Sequence, residues 1–139
     1  MAIQLDLSSL ENALQRLAEA LQAQAADPQN TLYRDACIQR FGCCYELSHK
    51  MLKRYLEMAA LNPVAIDELA FPDLIRSGSE QGLLRSGWDR WKDYRKARSI
   101  TSHTYDEAKA IEVMTLLPDF LQEALALLQE LHRRGSVKP

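Results

Sequence analysis

Apolar residues recur at three- and four-residue steps along most of this chain, the pattern of helices that each bury one face. Leu10, Leu14, Leu17, Leu21 and Ala25 form the first stripe. Ser8-Ser9-Leu10-Glu11 ahead of it reads as a capping box, in which a hydroxyl and a carboxylate satisfy free backbone amides, so a helix is predicted over 8–26. Asp27-Pro28-Gln29-Asn30 ends it in a turn. Ile38, Phe41, Tyr45, Leu52, Leu56 and Ala59 then share one side of a second helix over 31–61, a length of ~45 Å at ~1.5 Å per residue. Asn62-Pro63 stops it, because proline lacks the amide proton and restricts its predecessor.

Residues 63–87 break the pattern. Phe71-Pro72-Asp73 predicts a turn and a short helix, which Ser77-Gly78-Ser79 and Gly82 are expected to interrupt. A third main helix is predicted over 87–100, with Trp88, Trp91, Tyr94 and Arg95 on neighbouring turns. The last runs over 105–133, with Ile111, Met114, Leu117, Leu121, Leu125, Leu128 and Leu131 expected on its buried face and Pro118 expected to bend it. Long helices with short connections imply an all-α, antiparallel up-and-down bundle of four to five helices. The heptad pattern does not persist as in a coiled coil, and no repeat or low-complexity segment is visible. A thirty-residue helix in a chain of this size carries more apolar face than its neighbours cover, which makes pairing about a two-fold axis plausible.

Composition agrees. The 139 residues fit one domain over 1–139, with a tail expected to be mobile from about residue 134. Strong helix formers dominate, while Gly and Pro number five each. The net charge of −2 excludes a general electrostatic sink for nucleic acid, so such a role requires a local basic patch. No basic segment followed by an apolar run opens the chain, and no apolar stretch approaches the roughly 18 residues of a membrane span. Cys37, Cys43 and Cys44 form no CxxC pair and read as structural thiols in a reducing cytoplasm.

The chemistry-bearing stretch is Arg98-Ser99-Ile100-Thr101-Ser102-His103-Thr104-Tyr105. Arginine grips phosphate with a planar fork of donors, and histidine moves protons near neutral pH. In an unbroken helix residues 98 and 103 would project ~140° apart. Ile100, Thr101 and Ser102 are weak helix formers, and Thr104-Tyr105-Asp106-Glu107 resembles a second capping box. With Thr104 as N-cap, Arg98 would finish one helix and His103 precede the next, letting both reach one cleft. The competing geometry is a continuous helix whose two groups converge across a dimer interface. Arg85, Arg90, Lys92, Arg95, Lys96 and Arg98 against Asp89 and Asp93 make the adjoining segment locally basic, a pattern that ordinary solvated helix faces also show.

These residues resemble the HEPN superfamily, in particular the nucleotidyltransferase substrate-binding proteins, also called HepT-type toxins. Two stretches carry the resemblance, which covers nearly the whole chain. One runs from Ile38 to Leu47 and on from Lys50 to Leu56; the other is Arg98 through Tyr105, which fits Arg, four residues, His, one residue, Tyr. The resemblance implies a homodimer in which Arg98 and His103 of both subunits line a shared cleft. It implies RNA cleavage without a metal, His103 exchanging a proton and Arg98 stabilising charge on phosphorus, with single-stranded RNA favoured. Tyr105 would accept nucleotides from a minimal nucleotidyltransferase partner. Ser99, Ser102, Glu46, Lys50 and Arg95 would support catalysis or binding. The alternative is a non-catalytic subunit that presents a nucleotide to that transferase. Active members often carry Asn, Asp or His directly after the arginine, where this chain has Ser99.

Other candidates read more simply. Glu46, His49 and Lys50 share a helix face, but no second Glu-x-x-His completes a bundle metal site. His132 at a helix end complements the dipole. Trp88 and Trp91 are expected to bury bundle surface rather than stack bases. No phosphate loop, Cys-His nucleophile or zinc spacing is present, and no cofactor is implied.

Overall fold

In a computed structural model, the backbone is described for residues 3–134 and 136–137 and the side chains for residues 5–134. Six helices occur among the described residues: α1 (Ser8–Ala26), α2 (Thr31–Ala59), α3 (Pro63–Asp67), α4 (Phe71–Glu80), α5 (Trp88–Ser99) and α6 (Glu107–Arg134). A 3₁₀ turn, Thr101–His103, separates α5 from α6, and β1 (Ile3–Gln4) pairs antiparallel with β2 (Ser136–Val137). The expected antiparallel bundle is present, with α2 packed on α1, α5 and α6. The mobile tail expected from about residue 134 falls largely outside the described residues.

The helix limits follow local chemistry, though not always the predicted chemistry. Asn30 caps α2, its side-chain oxygen accepting from the amides of Leu32 and Tyr33 at 2.9 and 3.2 Å. The capping box at Ser8 does not form. Asp6 does that work, accepting from the amide of Ser8 at 3.0 Å and from its hydroxyl at 2.7 Å. The Ser77-Gly78-Ser79 break is also absent, and α4 runs through it. A Cβ on Gly78 would lie 3.0 Å from Leu52 and 3.2 Å from Leu84, so glycine here lets α4 approach the core.

The core side of α6 keeps Leu117, Leu121, Leu128 and Leu131 of the predicted face and departs from it elsewhere. Ala110, Val113, Leu117, Phe120, Ala124, Leu127 and Leu131 are buried, alternating in steps of three and four. Ile111 and Leu125, expected inside, are 54% and 38% exposed. Leucine and isoleucine drew the predicted stripe, whereas alanine and phenylalanine complete the true one. Pro118 stands on the exposed side of an uninterrupted α6. The centre is aromatic: Phe120 meets Phe41 edge-on at 4.8 Å and Tyr94 at 5.2 Å, and Trp91 packs on Tyr94 at 5.2 Å. Trp91 is 1% exposed, in keeping with a packing role.

The carboxylates of α6 bind the cations of α5 and of the turn before it. Asp119 accepts from Arg90 at 2.8 Å and from the Tyr94 hydroxyl. Glu123, buried, accepts from Arg85 at 3.1 Å and from Ser86 at 2.9 Å. Lys96 faces Glu112 at 3.5 Å. Much of the basic stretch seen in the sequence is therefore neutralised by residues far along the chain.

No described helix is long and apolar enough to cross a membrane. Cys44 is buried and donates to the carbonyl of Ala13 at 3.1 Å, and burial pushes its thiol up to about 12. Its neighbour Cys43 is exposed.

Candidate functional site

The helical rod stops where the motif needs it to. Ile100 leaves helical geometry, Thr101–His103 turns as 3₁₀, and α6 begins at Glu107. The N-cap of α6 is not Thr104. Asp106 fills that role, its carboxylate accepting from the amides of Ala108 and Lys109 at 3.0 and 3.3 Å. The continuous-helix geometry is excluded, and the break places His103 just before α6.

Arg98 ends α5 against the middle of α2. Its Nε donates to Glu46 at 3.2 Å and its Nη1 to the Thr101 hydroxyl at 3.0 Å. Thr101 in turn donates to the carbonyl of Arg98 at 2.9 Å, closing a small ring that fixes the guanidinium. Gly42 lies beneath: a Cβ placed there would sit 3.5–3.7 Å from the arginine stem and head. Arg98 with Thr101, Ser102, Thr104, Gly42 and Asp35 lines a cavity of about 390 Å³. Nη2 of Arg98 has no partner among the described residues, so part of the fork remains available to an anion.

His103 and Tyr105 form a second pair. The Tyr105 hydroxyl lies 3.2 Å from Nδ1 of His103, with donor and acceptor set by the tautomer. Tyr105 is 84% exposed. Neither lines the Arg98 cavity. Ser99 does not line the cavity, and its hydroxyl donates to the carbonyl of Lys96 at 2.6 Å. Arg95, one turn before Arg98, stands 5.4 Å over the Phe71 ring. Glu46 and Lys50 line a groove on the outer side of α2.

Two contributors were missed in the sequence. Thr101 sits inside the motif but reads as a helix breaker, and its grip on Arg98 depends on the 3₁₀ turn. Gly42 lies far upstream of Arg98 and shows its role only when α2 and α5 pack. Among the described residues no group of three or more His, Cys, Asp or Glu is placed to hold a metal.

The sequence profile described as nucleotidyltransferase substrate binding protein like matches residues 5–133, and the chain belongs to this family. A curated relative, the probable ribonuclease HepT of Haemophilus influenzae, is 43% identical over 107 residues, 77% of this chain and 72% of the relative. A solved Haemophilus influenzae structure, described as the fold of a substrate binding domain of a nucleotidyltransferase, is similar at a TM-score of 0.85. It is 35% identical, covering 91% of this chain and 99% of that one. A solved structure from Thermus thermophilus is similar at a TM-score of 0.72, with 30% identity over 89% of this chain and 99% of its own.

Proposed function

We propose that this protein is the HEPN-type member of a two-gene toxin–antitoxin pair, partnered by a minimal nucleotidyltransferase, and that it is a metal-independent endoribonuclease of the cytoplasm. The observation that carries the reading is Arg98, held at the mouth of a cavity with one guanidinium nitrogen unengaged among the described residues, five residues from a histidine on a helix break. Similarity to a probable ribonuclease supports it. In this reading the 2′-oxygen of a ribose attacks phosphorus, the bond to the 5′-oxygen breaks, and the 2′-hydroxyl proton ends on that leaving oxygen. His103 relays the proton, and Arg98 stabilises the added negative charge on the phosphoryl oxygens.

His103 and Tyr105 stand off the Arg98 cavity of their own protomer, so the working site is built by a homodimer, two motifs meeting across a two-fold axis. The exposed apolar residues Leu32 and Ile111, 77% and 54% exposed, offer surface for such pairing. Tyr105, with its phenol in solvent, is the acceptor for nucleotides from the partner. Added phosphate and bulk beside His103 would exclude RNA by repulsion and sterics.

A second reading is favoured by a specific contact. Glu46 occupies Nε of Arg98 and opposes a phosphate there, while Ser99 turns to its own backbone. The Ser99 contact leaves the position after Arg98 out of the chemistry, which suits a subunit that presents a nucleotide without cleaving it, in line with the description of the related Haemophilus influenzae fold. Single-stranded RNA incubated with purified protein in EDTA separates the two. Turnover supports the ribonuclease, and binding without turnover supports the presenting subunit.

A further inference from the structure

The cavity beside Arg98 has two unlike ends. Its walls come from three elements: Arg98 of α5, Thr101 and Ser102 of the 3₁₀ turn, and Asp35, Ile38 and Gln39 of α2. Among the described residues that line it, Arg98 is the one cation and Asp35 the one carboxylate. Asp35 and Gln39 are one turn apart on α2, so they share a face. Both are exposed, and neither side chain has a hydrogen-bond or ion-pair partner among the described residues. From Gly42, beneath the guanidinium, back to Asp35 is ~10 Å along α2.

A phosphate is drawn to the Arg98 end and repelled from the Asp35 end. The ends therefore take different groups, spaced as a phosphate and the far edge of its own base are spaced in a nucleotide. The volume of about 390 Å³ lies within the range of small-ligand sites, about 300–1,000 Å³. A carboxylate only accepts hydrogen bonds, so it pairs best with two donors side by side. Among the four RNA bases, only guanine sets two adjacent donors, N1–H and the 2-amino group, on its Watson–Crick edge. Adenine and cytosine place a ring-nitrogen acceptor beside their amine, and uracil flanks its single donor with two carbonyls. Each of these would turn an acceptor toward the carboxylate. Gln39, one turn on, brings the amide donor that guanine O6 requires.

We propose that this cavity selects guanine. Asp35 accepts from N1–H and the 2-amino group of an unpaired base, Gln39 donates to its O6, and Arg98 holds the phosphate of the same nucleotide. A paired guanine already commits those groups to its partner strand, so the base comes from a single strand. The inference rests on the RNA reading of the Arg98 site and adds a base preference to it.

The test uses the full chain and fluorescein-labelled, 2′-O-methylated oligouridines with one central guanosine, inosine or adenosine, which bind without being cut. Inosine differs from guanosine only in lacking the 2-amino group. By anisotropy, wild type should bind the guanosine strand tighter than the adenosine strand by roughly fivefold to tenfold, with inosine between, the low end for a bidentate base contact because Asp35 is exposed. Asp35→Ala should bring the three affinities together, and Gln39→Ala should narrow the gap between inosine and adenosine. Loss of the Asp35 charge alone would raise all three affinities alike, so their ratios carry the result. Equal affinities in wild type, or a guanosine preference that survives in Asp35→Ala, overturn the base site and leave the Arg98 reading standing. A preference for adenosine assigns the base edge to Gln39 without Asp35 and also overturns the proposal. No binding of any strand by wild type overturns both.

Discussion

Glu46 of α2 accepts from Nε of Arg98 at 3.2 Å, across 52 residues of sequence, and so sets where the one arginine of the motif points. The contact does two opposing things. It orients the guanidinium, and it places a negative charge where a phosphate would approach. Glu46→Gln separates them, because the amide oxygen still accepts while the charge is gone. Unit charges at ~4 Å are worth ~1 kcal/mol even in water, which converts to roughly fivefold in affinity. The variant is therefore expected to bind an uncleavable single-stranded oligonucleotide more tightly by about that factor at low salt, measured by anisotropy. Weaker binding would mean that orientation dominates.

The packing of α6 against the segment that leads into α5 rests on a buried carboxylate. Glu123 is 2% exposed and is held by Arg85 and Ser86. Removing one partner of a buried pair leaves a charge uncompensated, at a cost of about 3–5 kcal/mol. Arg85 is half exposed, so Arg85→Ala is expected to cost about 3 kcal/mol in urea unfolding, at the low end of that range. Glu123→Gln in the same chain should recover part of the loss. Equal losses in the single and double variants would show that the charge is not the cause.

Stability should depend on pH through His49. Burial against Phe71 holds its imidazole below the ordinary value of 6.5, with Lys53 and Arg95 acting in the same direction and Glu46 against it. Well above pH 6.5 the ring is neutral in both folded and unfolded chains and contributes no slope. As pH falls through 6.5 the unfolded chain takes up the proton first, so stability drops until the folded value is passed. Urea midpoints across this range should fall for wild type and flatten for His49→Gln. A parallel fall in the variant would assign the effect elsewhere.

Much of this fold was readable because its helices are punctuated locally. Asp27-Pro28-Gln29-Asn30 and Asn62-Pro63 bracket α2 without help from tertiary structure, although Asn62-Pro63 reads only as a stop and not as the start of α3. The failures share a cause. Gly78 reads as a breaker, yet Leu52 and Leu84 make it the residue that fits, and neither is near it in the helix pattern. Asp106 rather than Thr104 caps α6, because the intervening 3₁₀ turn shifts the helix start by two residues. The motif residues are proposed from their spacing. Their supports, Thr101 and Gly42, are not, since a hydroxyl gripping a guanidinium and a glycine beneath it become visible only once α2 and α5 are packed together.

The two-fold site proposed above predicts a dimer. Light scattering at micromolar protein should give twice the mass of the 15.8 kDa chain. A monomeric mass would separate Arg98 from the second motif and remove the shared cleft.

The central claim is that Arg98 and His103 cut RNA together, without a metal. The direct measurement is cleavage of single-stranded RNA by the unmodified protein, checked by intact mass, in EDTA. Wild type should cleave, with His103→Ala slowed by roughly 10²–10⁴ and Arg98→Ala by roughly 10²–10³, the ranges for lost proton transfer and lost charge stabilisation. Cleavage that persists in either variant, or no cleavage by unmodified wild type, would contradict the account.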